Sequence, residues 1–200
     1  MPDPKTIAWY DAAAEKYDQL TRTGEPGVNL RAFMALLPAG AEVLDLGCGA
    51  AKASVHMRAA GFRPDPVDAS QGLIDLANKA HDIGARYMTF DDLDAVAAYD
   101  GVWANFSLLH APHADLPRHL RAIATALRPG GIFHIGMKTG TGEKRDSLDR
   151  NYTYVGVTEL DQLLQDAGFE VLATEESTER GAAGTMDPLV IMRARKSGGA

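Results

Sequence analysis

The sequence predicts an α/β fold built on a mostly parallel sheet, and three observations carry that prediction. The run Glu42-Val43-Leu44-Asp45-Leu46-Gly47-Cys48-Gly49-Ala50-Ala51 reads as a buried strand that turns through glycines into a helix. Downstream, short apolar runs alternate with segments of helical periodicity, the pattern that builds parallel strands. The last two apolar runs have no helical pattern between them, which predicts an antiparallel pair at the end of the chain.

Length and composition set the bounds. Two hundred residues make one domain with a real core, expected as a helical cap over 1–38, a sheet core over 41–195 and a frayed tail over 196–200. At 46% hydrophobic and 24% charged, the composition is that of a globular protein. The net charge of −7, from 20 basic and 27 acidic side chains, argues against a nucleic-acid partner, which would draw on clustered Lys and Arg. Cys48 is the one cysteine, which excludes an internal disulfide and a multi-cysteine metal site. Neither a basic-then-apolar start nor a membrane-length apolar run is present, so no membrane contact and a cytoplasmic setting are expected. No metal is expected, and the protein should be a monomer or homodimer.

Taken in order, Ile7, Tyr10, Ala14 and Tyr17 mark a helix over 5–21. Thr23-Gly24-Glu25-Pro26-Gly27 breaks it, Pro26 opens a second helix with Leu30, Phe33, Met34 and Leu37 on one face, and Pro38-Ala39-Gly40 stops that. The first strand spans 41–47, and the helix after it ends at Gly61. A second strand over 62–69 carries Pro64 and Pro66, which predicts that it is short or bulged. Ser70 caps a helix with Leu73, Ile74, Ala77 and Ala80 inward, ending near Gly84. Strand 86–90 runs into Asp91-Asp92-Leu93-Asp94, and a strand from Tyr99 to Phe106 follows.

Leu116, Leu120, Ile123 and Leu127 mark a helix opened by Asp115 with Pro117 in its first turn, closed by Leu127-Arg128-Pro129-Gly130-Gly131 before a strand over 132–137. The segment 138–156 has no regular pattern, as in functional or mobile loops; if it is a lid, Lys138, Arg145, Arg150, Tyr152 and Tyr154 are the candidate substrate contacts. Thr158-Glu159-Leu160-Asp161 is a capping-box analogue for the last helix, and strands over 169–173 and 189–194 end the fold.

The glycine elbow implies a ligand set against bare main chain, with the N–H groups and positive end of the following helix as donors. A dinucleotide fingerprint would need glycine at position 52, where Lys52 stands, and no phosphate loop is present. Asp68 closes the second strand 19 residues beyond Gly49, where one carboxylate can hold both hydroxyls of a ribose. His110 and His113 have ligand spacing but no third or fourth ligand near them, so a metal is not expected. Cys48 reads as a small residue required by the turn.

Asp45 with Gly47-Cys48-Gly49, Tyr99-Asp100-Gly101-Val102, and Leu127-Arg128-Pro129-Gly130-Gly131 stand in the order and separation that resemble class I S-adenosylmethionine-dependent methyltransferases. Parts of the chain are also similar to small bacterial proteins grouped with tellurite-resistance methyltransferases. The resemblance implies a Rossmann-like, doubly wound sheet of seven strands with an antiparallel last strand and two N-terminal helices. It implies S-adenosyl-L-methionine as cofactor: Gly47, Cys48 and Gly49 at its methionine part, Asp45 near the amino group, Asp68, Ala69 and Ser70 at the ribose, and Asp91, Asp92 and Leu93 around the adenine. Asn105 and Phe106 would line the transfer site, Tyr17 would close it, and His110 and Tyr152 are the candidate catalytic residues.

Asn105 lacks the Pro-Pro-Tyr or Pro-Pro-Phe that follows it in many methyltransferases of planar amines, which favours a small-molecule acceptor. Two other readings remain at this point: a module that binds the cofactor without turnover, which Ala51 in place of a third glycine leaves open, and a nicotinamide-dependent oxidoreductase.

Overall fold

A computed structural model describes residues 3–20, 24–181 and 183–198, apart from the side chains of Tyr17, Asp18 and Leu20. Helices α1 (Pro4–Leu20) and α2 (Val28–Met34) lead into β1 (Glu42–Leu46), α3 (Lys52–Ala59), β2 (Arg63–Asp68), α4 (Gln71–His81) and β3 (Arg86–Tyr87). Then come β4 (Tyr99–Asn105), α5 (Leu116–Ala126) and β5 (Leu127–Lys138), a small hairpin of β6 (Glu143–Arg145) and β7 (Asn151–Thr153), and α6 (Val157–Asp166). The chain closes with β8 (Phe169–Arg180) and β9 (Met186–Lys196).

The main sheet has seven strands in the order β3-β2-β1-β4-β5-β9-β8. Every pair from β3 to β5 is parallel, and β9 runs antiparallel to both β5 and β8. Strand order reverses between β1 and β4, and the crevice at their carboxyl ends is where such sheets bind ligands.

On one face α5 and α6 bury Leu120, Ile123, Leu160 and Leu164 against Val102, Phe133 and Ile135. Across the sheet, α2 and α3 pack Phe33 and Met57 on Val43 and Trp103. A Cβ at Gly101 would meet Phe33 and Leu37 at 2.9 Å, so glycine is what lets α2 lie flat on β4. The two leading helices therefore divide the work. α2 belongs to the core, whereas α1 packs on α4 over the strand ends, its Asp11 accepting from Ser70 Oγ (2.7 Å) and Gly72 N (3.0 Å).

Several expectations need correction. The prolines neither shorten nor bulge β2, whose register with β1 is unbroken from Arg63 to Val67. Arg63 donates its N–H toward β1, to Ala41 O, so the alternate positions 64 and 66 face the other edge, and β3 starts pairing only at Val67. A missing N–H costs nothing there. β3 is two residues long because Phe90–Asp92 winds into a 3-10 turn. The Leu127–Gly131 turn is a bulge inside β5, whose register with β4 shifts between Tyr99 and Gly101. Segment 138–156 is ordered as the β6–β7 hairpin rather than irregular. Helix α6 starts two residues earlier than the capping pattern suggests, with Gly156 as N-cap and Glu159 accepting its N–H at 3.2 Å.

Candidate active site

The elbow after β1 is set by backbone conformation. Gly47 and Gly49 have φ of +77° and +56°, and Ala51, fully buried, takes +56°, a strain of about 1 kcal/mol for a residue with a Cβ. Gly47 N and Cys48 N both donate to Val67 O at 2.9 Å. Asp68 completes the tie, one oxygen accepting from Gly49 N (2.8 Å) and the other from Ser70 N (2.9 Å). On the opposite side Ser107 Oγ donates to Leu46 O at 2.6 Å, and a Cβ on Gly47 would lie 2.3 Å from Ser107 Cβ. The elbow is thus clamped between the ends of β2 and β4.

A cavity of about 280 Å³ sits above it. Of the predicted residues, Asp45, Gly47, Cys48, Gly49, Asp68, Ala69 and Ser70 line it on one side, and Asn105, Phe106 and His110 on the other. Asp45 is buried and accepts from Ser54 Oγ at 2.7 Å; burial lifts its carboxyl to about 7, with that hydrogen bond opposing. Burial also raises Asp68, opposed by the N–H groups it accepts. The Cys48 thiol is pushed up by burial and by the Asp45 and Asp68 charges, so it stays protonated and fills space.

Three predicted adenine contacts lie elsewhere. Asp91 pairs with Arg118 (2.6 Å), Asp92 accepts from Thr89 N and Oγ1 (2.9 and 2.6 Å), and Leu93 is off the wall. The 3-10 turn aims both carboxylates at their own surroundings, and Met88, Thr89 and Phe90 line the cavity instead. Tyr152 is also off this wall. It is buried in a side pocket of about 150 Å³, its ring 4.6 Å from His110 and capped by Lys138 Nζ at 4.0 Å. The Tyr17 side chain lies outside the described residues.

Sequence reasoning missed Lys52 as a wall residue, having used it only against a dinucleotide site; among the described lining residues it is the one lysine or arginine, on a wall that also carries Asp3, Asp45 and Asp68. Tyr10, expected only as part of a helical stripe, lines the cavity as well. Asp3, Thr6, Ile7 and Tyr10 of the leading segment roof the cavity, and the β6–β7 hairpin clasps that roof. Arg145 pairs with Asp3 (2.6 Å), Lys5 with Asp149 (2.9 Å), and Asn151 N donates to Thr6 Oγ1 (2.9 Å). Arg150, 1% exposed, pairs with Asp146 (2.6 Å), lies over the Trp9 ring at 4.4 Å and donates to Tyr10 Oη at 3.2 Å.

His110 stands on the far wall, and a second histidine, His134, lies buried behind Asn105. His110 Nδ1 faces Asn151 O at 2.7 Å and Nε2 faces Tyr10 Oη at 3.0 Å, while burial pushes its imidazole down to about 4. His134, stacked on Trp103 at 3.7 Å, meets Asn105 Oδ1 through Nε2 at 3.0 Å, which turns the Asn105 NH₂ away from the histidine. His113 pairs with Glu159 (2.6 Å) rather than with His110. Among the described residues no three His, Cys, Asp or Glu side chains converge as metal ligands.

A family model described as a methyltransferase domain matches residues 21–174. The chain is 33% identical over 162 residues to the cypemycin N-terminal methyltransferase of Streptomyces sp, covering 77% of this chain and 65% of that one. It is 29% identical over 189 residues to the biotin biosynthesis bifunctional protein BioHC of Cellvibrio japonicus (strain Ueda107), covering 89% of this chain and 38% of that one. The chain thus spans 38% and 65% of the lengths of these two curated relatives. A solved structure of the 1,6-didemethyltoxoflavin-N1-methyltransferase of Burkholderia thailandensis, with bound 1,6-didemethyltoxoflavin and S-adenosylhomocysteine, superposes with a TM-score of 0.70 at 27% identity. That likeness covers 96% of this chain and 88% of the other.

Proposed function

Because the chain belongs to the class I S-adenosylmethionine-dependent methyltransferase family, we propose that it binds S-adenosylmethionine beneath α1 and transfers the methyl group to a small-molecule acceptor. The observation that carries this is the Asp68 carboxylate. It spends one lone pair of each oxygen on Gly49 N and Ser70 N, and the remaining pairs suit the two hydroxyls of a ribose. The charges of the wall suit the rest of the ligand. Asp45, buried with a raised pKa, gains from a cation such as the amino group, and Lys52 gains from a carboxylate. Met88, Thr89 and Phe90 replace Asp91, Asp92 and Leu93 as the proposed adenine wall.

When bound, the sulfonium supplies an activated methyl carbon whose leaving group departs neutral. The protein's part is alignment and exclusion of water, and the clasped roof suits both. A cavity of about 280 Å³ lined in part by α1 favours a small acceptor over a macromolecule. The likeness to a toxoflavin-precursor methyltransferase supports that class, and family membership sets aside a nicotinamide cofactor. One cysteine in the chain suits a cytoplasmic setting.

Titration calorimetry tests the reading. S-adenosylmethionine and S-adenosylhomocysteine should each bind one to one and NAD should not; no heat from either adenosyl ligand would overturn it.

A further inference from the structure

Asn105 and His134 meet across neighbouring parallel strands, near the carboxyl end of β4. In the register of β4 with β5, Trp103 lies opposite His134 and Asn105 opposite Gly136. The glycine makes room for the amide, since a Cβ there would meet Asn105 Oδ1 at 3.0 Å and the Phe106 ring at 3.2 Å. Phe106 N donates to Gly136 O at 3.1 Å although Phe106 takes a φ of +59°, so the end of β4 is pinned to β5 in a strained backbone, as surroundings that over-determine a functional site allow.

The polarity of the amide can be read from the histidine behind it. His134 is wholly buried, stacked on Trp103 and edge-on to Phe33. Burial, and after it the Arg193 charge, hold its imidazole well below the usual range, so the ring is neutral and carries one proton. Nδ1 has no hydrogen-bond partner among the described residues, and Nε2 lies 3.0 Å from Asn105 Oδ1. An amide oxygen only accepts, so the proton sits on Nε2. The other tautomer would need the amide turned over and would bury an N–H without an acceptor, a rarer defect than a bare lone pair. Asn105 Oδ1 is thereby committed to His134. Its NH₂ is turned away toward the cavity that Asn105 lines, and among the described residues no protein group accepts from it.

We infer that Asn105 sets acceptor specificity as a hydrogen-bond donor: the acceptor presents an oxygen lone pair to it, as a carbonyl, carboxylate or phenolate does, and His134 is the positioning residue that fixes this polarity. The inference rests on the methyltransferase reading above. An amine turned to the same point would set its N–H groups against those of Asn105, two donors with no acceptor between them. Had the histidine carried its proton on Nδ1, the amide would offer its oxygen instead and the preference would reverse. A residue buried behind the cavity thus decides which acceptors suit it.

Two neutral probes of similar size test the polarity in protein saturated with S-adenosylhomocysteine: acetophenone, whose oxygen only accepts, and aniline, whose amino group donates. NMR titration gives the affinities, infrared difference spectra give the carbonyl stretch of bound acetophenone, and ¹⁵N spectra of the ligand-free protein give the His134 tautomer. Wild type should carry the proton on Nε2, lower the carbonyl stretch and bind acetophenone about tenfold or more tighter than aniline. Asn105→Leu should abolish the preference and the spectral shift while keeping affinity for S-adenosylhomocysteine. His134→Phe leaves the amide free to turn over, and should weaken acetophenone while strengthening aniline. His134→Gln, whose side chain can donate to Asn105 Oδ1, should restore the preference. A proton on Nδ1, equal changes on the two probes, no wild-type binding of acetophenone, or a loss of S-adenosylhomocysteine affinity in Asn105→Leu as large as that of acetophenone would overturn the inference. Absence of S-adenosylhomocysteine binding to wild type would instead overturn the methyltransferase reading beneath it, and the His134 spectrum, which needs no ligand, keeps the two failures apart.

Discussion

Gly49 donates its backbone N–H to Asp68 Oδ2 at 2.8 Å, so the glycine elbow and the end of the neighbouring strand are joined through a side chain 19 residues away. One carboxylate thereby fixes the shape of the elbow and presents its remaining lone pairs to the cavity.

Asp68→Ala is expected to lower affinity for S-adenosylhomocysteine by about 10- to 100-fold, the loss of two hydrogen bonds to a charged acceptor. Calorimetry measures it, and a melting curve without ligand separates this loss from loosening of the elbow. Unchanged affinity would remove Asp68 from the site.

Asp45 makes binding depend on pH. Without ligand its carboxyl is raised from 3.8 to about 7. A bound cation favours the ionised form, so binding releases a proton below that value. Affinity for S-adenosylmethionine should rise by up to about tenfold per unit between roughly pH 5 and 7, then level off. Stability of the ligand-free protein takes the opposite sign. A raised folded-state pKa contributes stability that is full below the ordinary carboxylate value and lost as pH rises through about 7. Asp45→Asn should flatten both profiles; a wild-type affinity independent of pH would refute the assignment.

Lys52→Met should reduce affinity for S-adenosylhomocysteine about tenfold and leave methylthioadenosine, which lacks the carboxylate, unaffected. Equal losses on the two ligands would mean that Lys52 acts only through the fold.

Gly47→Ala adds a Cβ 2.3 Å from Ser107 Cβ at a φ of +77°, and is expected to cost about 2–4 kcal/mol in urea unfolding. Gly24→Ala, with nothing within 4 Å, should stay within about 0.5 kcal/mol.

Arg145→Ala removes the Asp3 ion pair that holds the start of α1, where the guanidinium keeps the Asp3 carboxyl well below its usual range. Amide exchange in α1 should quicken severalfold while melting moves by no more than about 2 °C, since partly exposed pairs contribute little. An equally slow α1 would show that other contacts secure the roof.

The sequence by itself determined the α/β class, the elbow at Gly47-Cys48-Gly49 and the antiparallel close of the sheet. Each follows from local rules: glycine supplies positive φ, apolar period marks strand or helix, and a connection without helical pattern forces a hairpin. It also placed Asp68 at the end of β2, because chain distance along a strand–helix–strand unit fixes that position. Tertiary structure alone decided which side chains face the cavity. Asp91 and Asp92 follow β3 as expected, but a 3-10 turn of three residues directs them onto Arg118 and Thr89 rather than into the cavity. Pro64 and Pro66 looked like defects until the register with β1 put them on the edge that β3 does not yet cover. The meeting of Tyr10 with His110, 100 residues apart, and with Arg150, 140 residues apart, arises from a helix laid over the strand ends and a hairpin folded back upon it. No periodicity or motif encodes such a contact, because it depends on how finished elements pack.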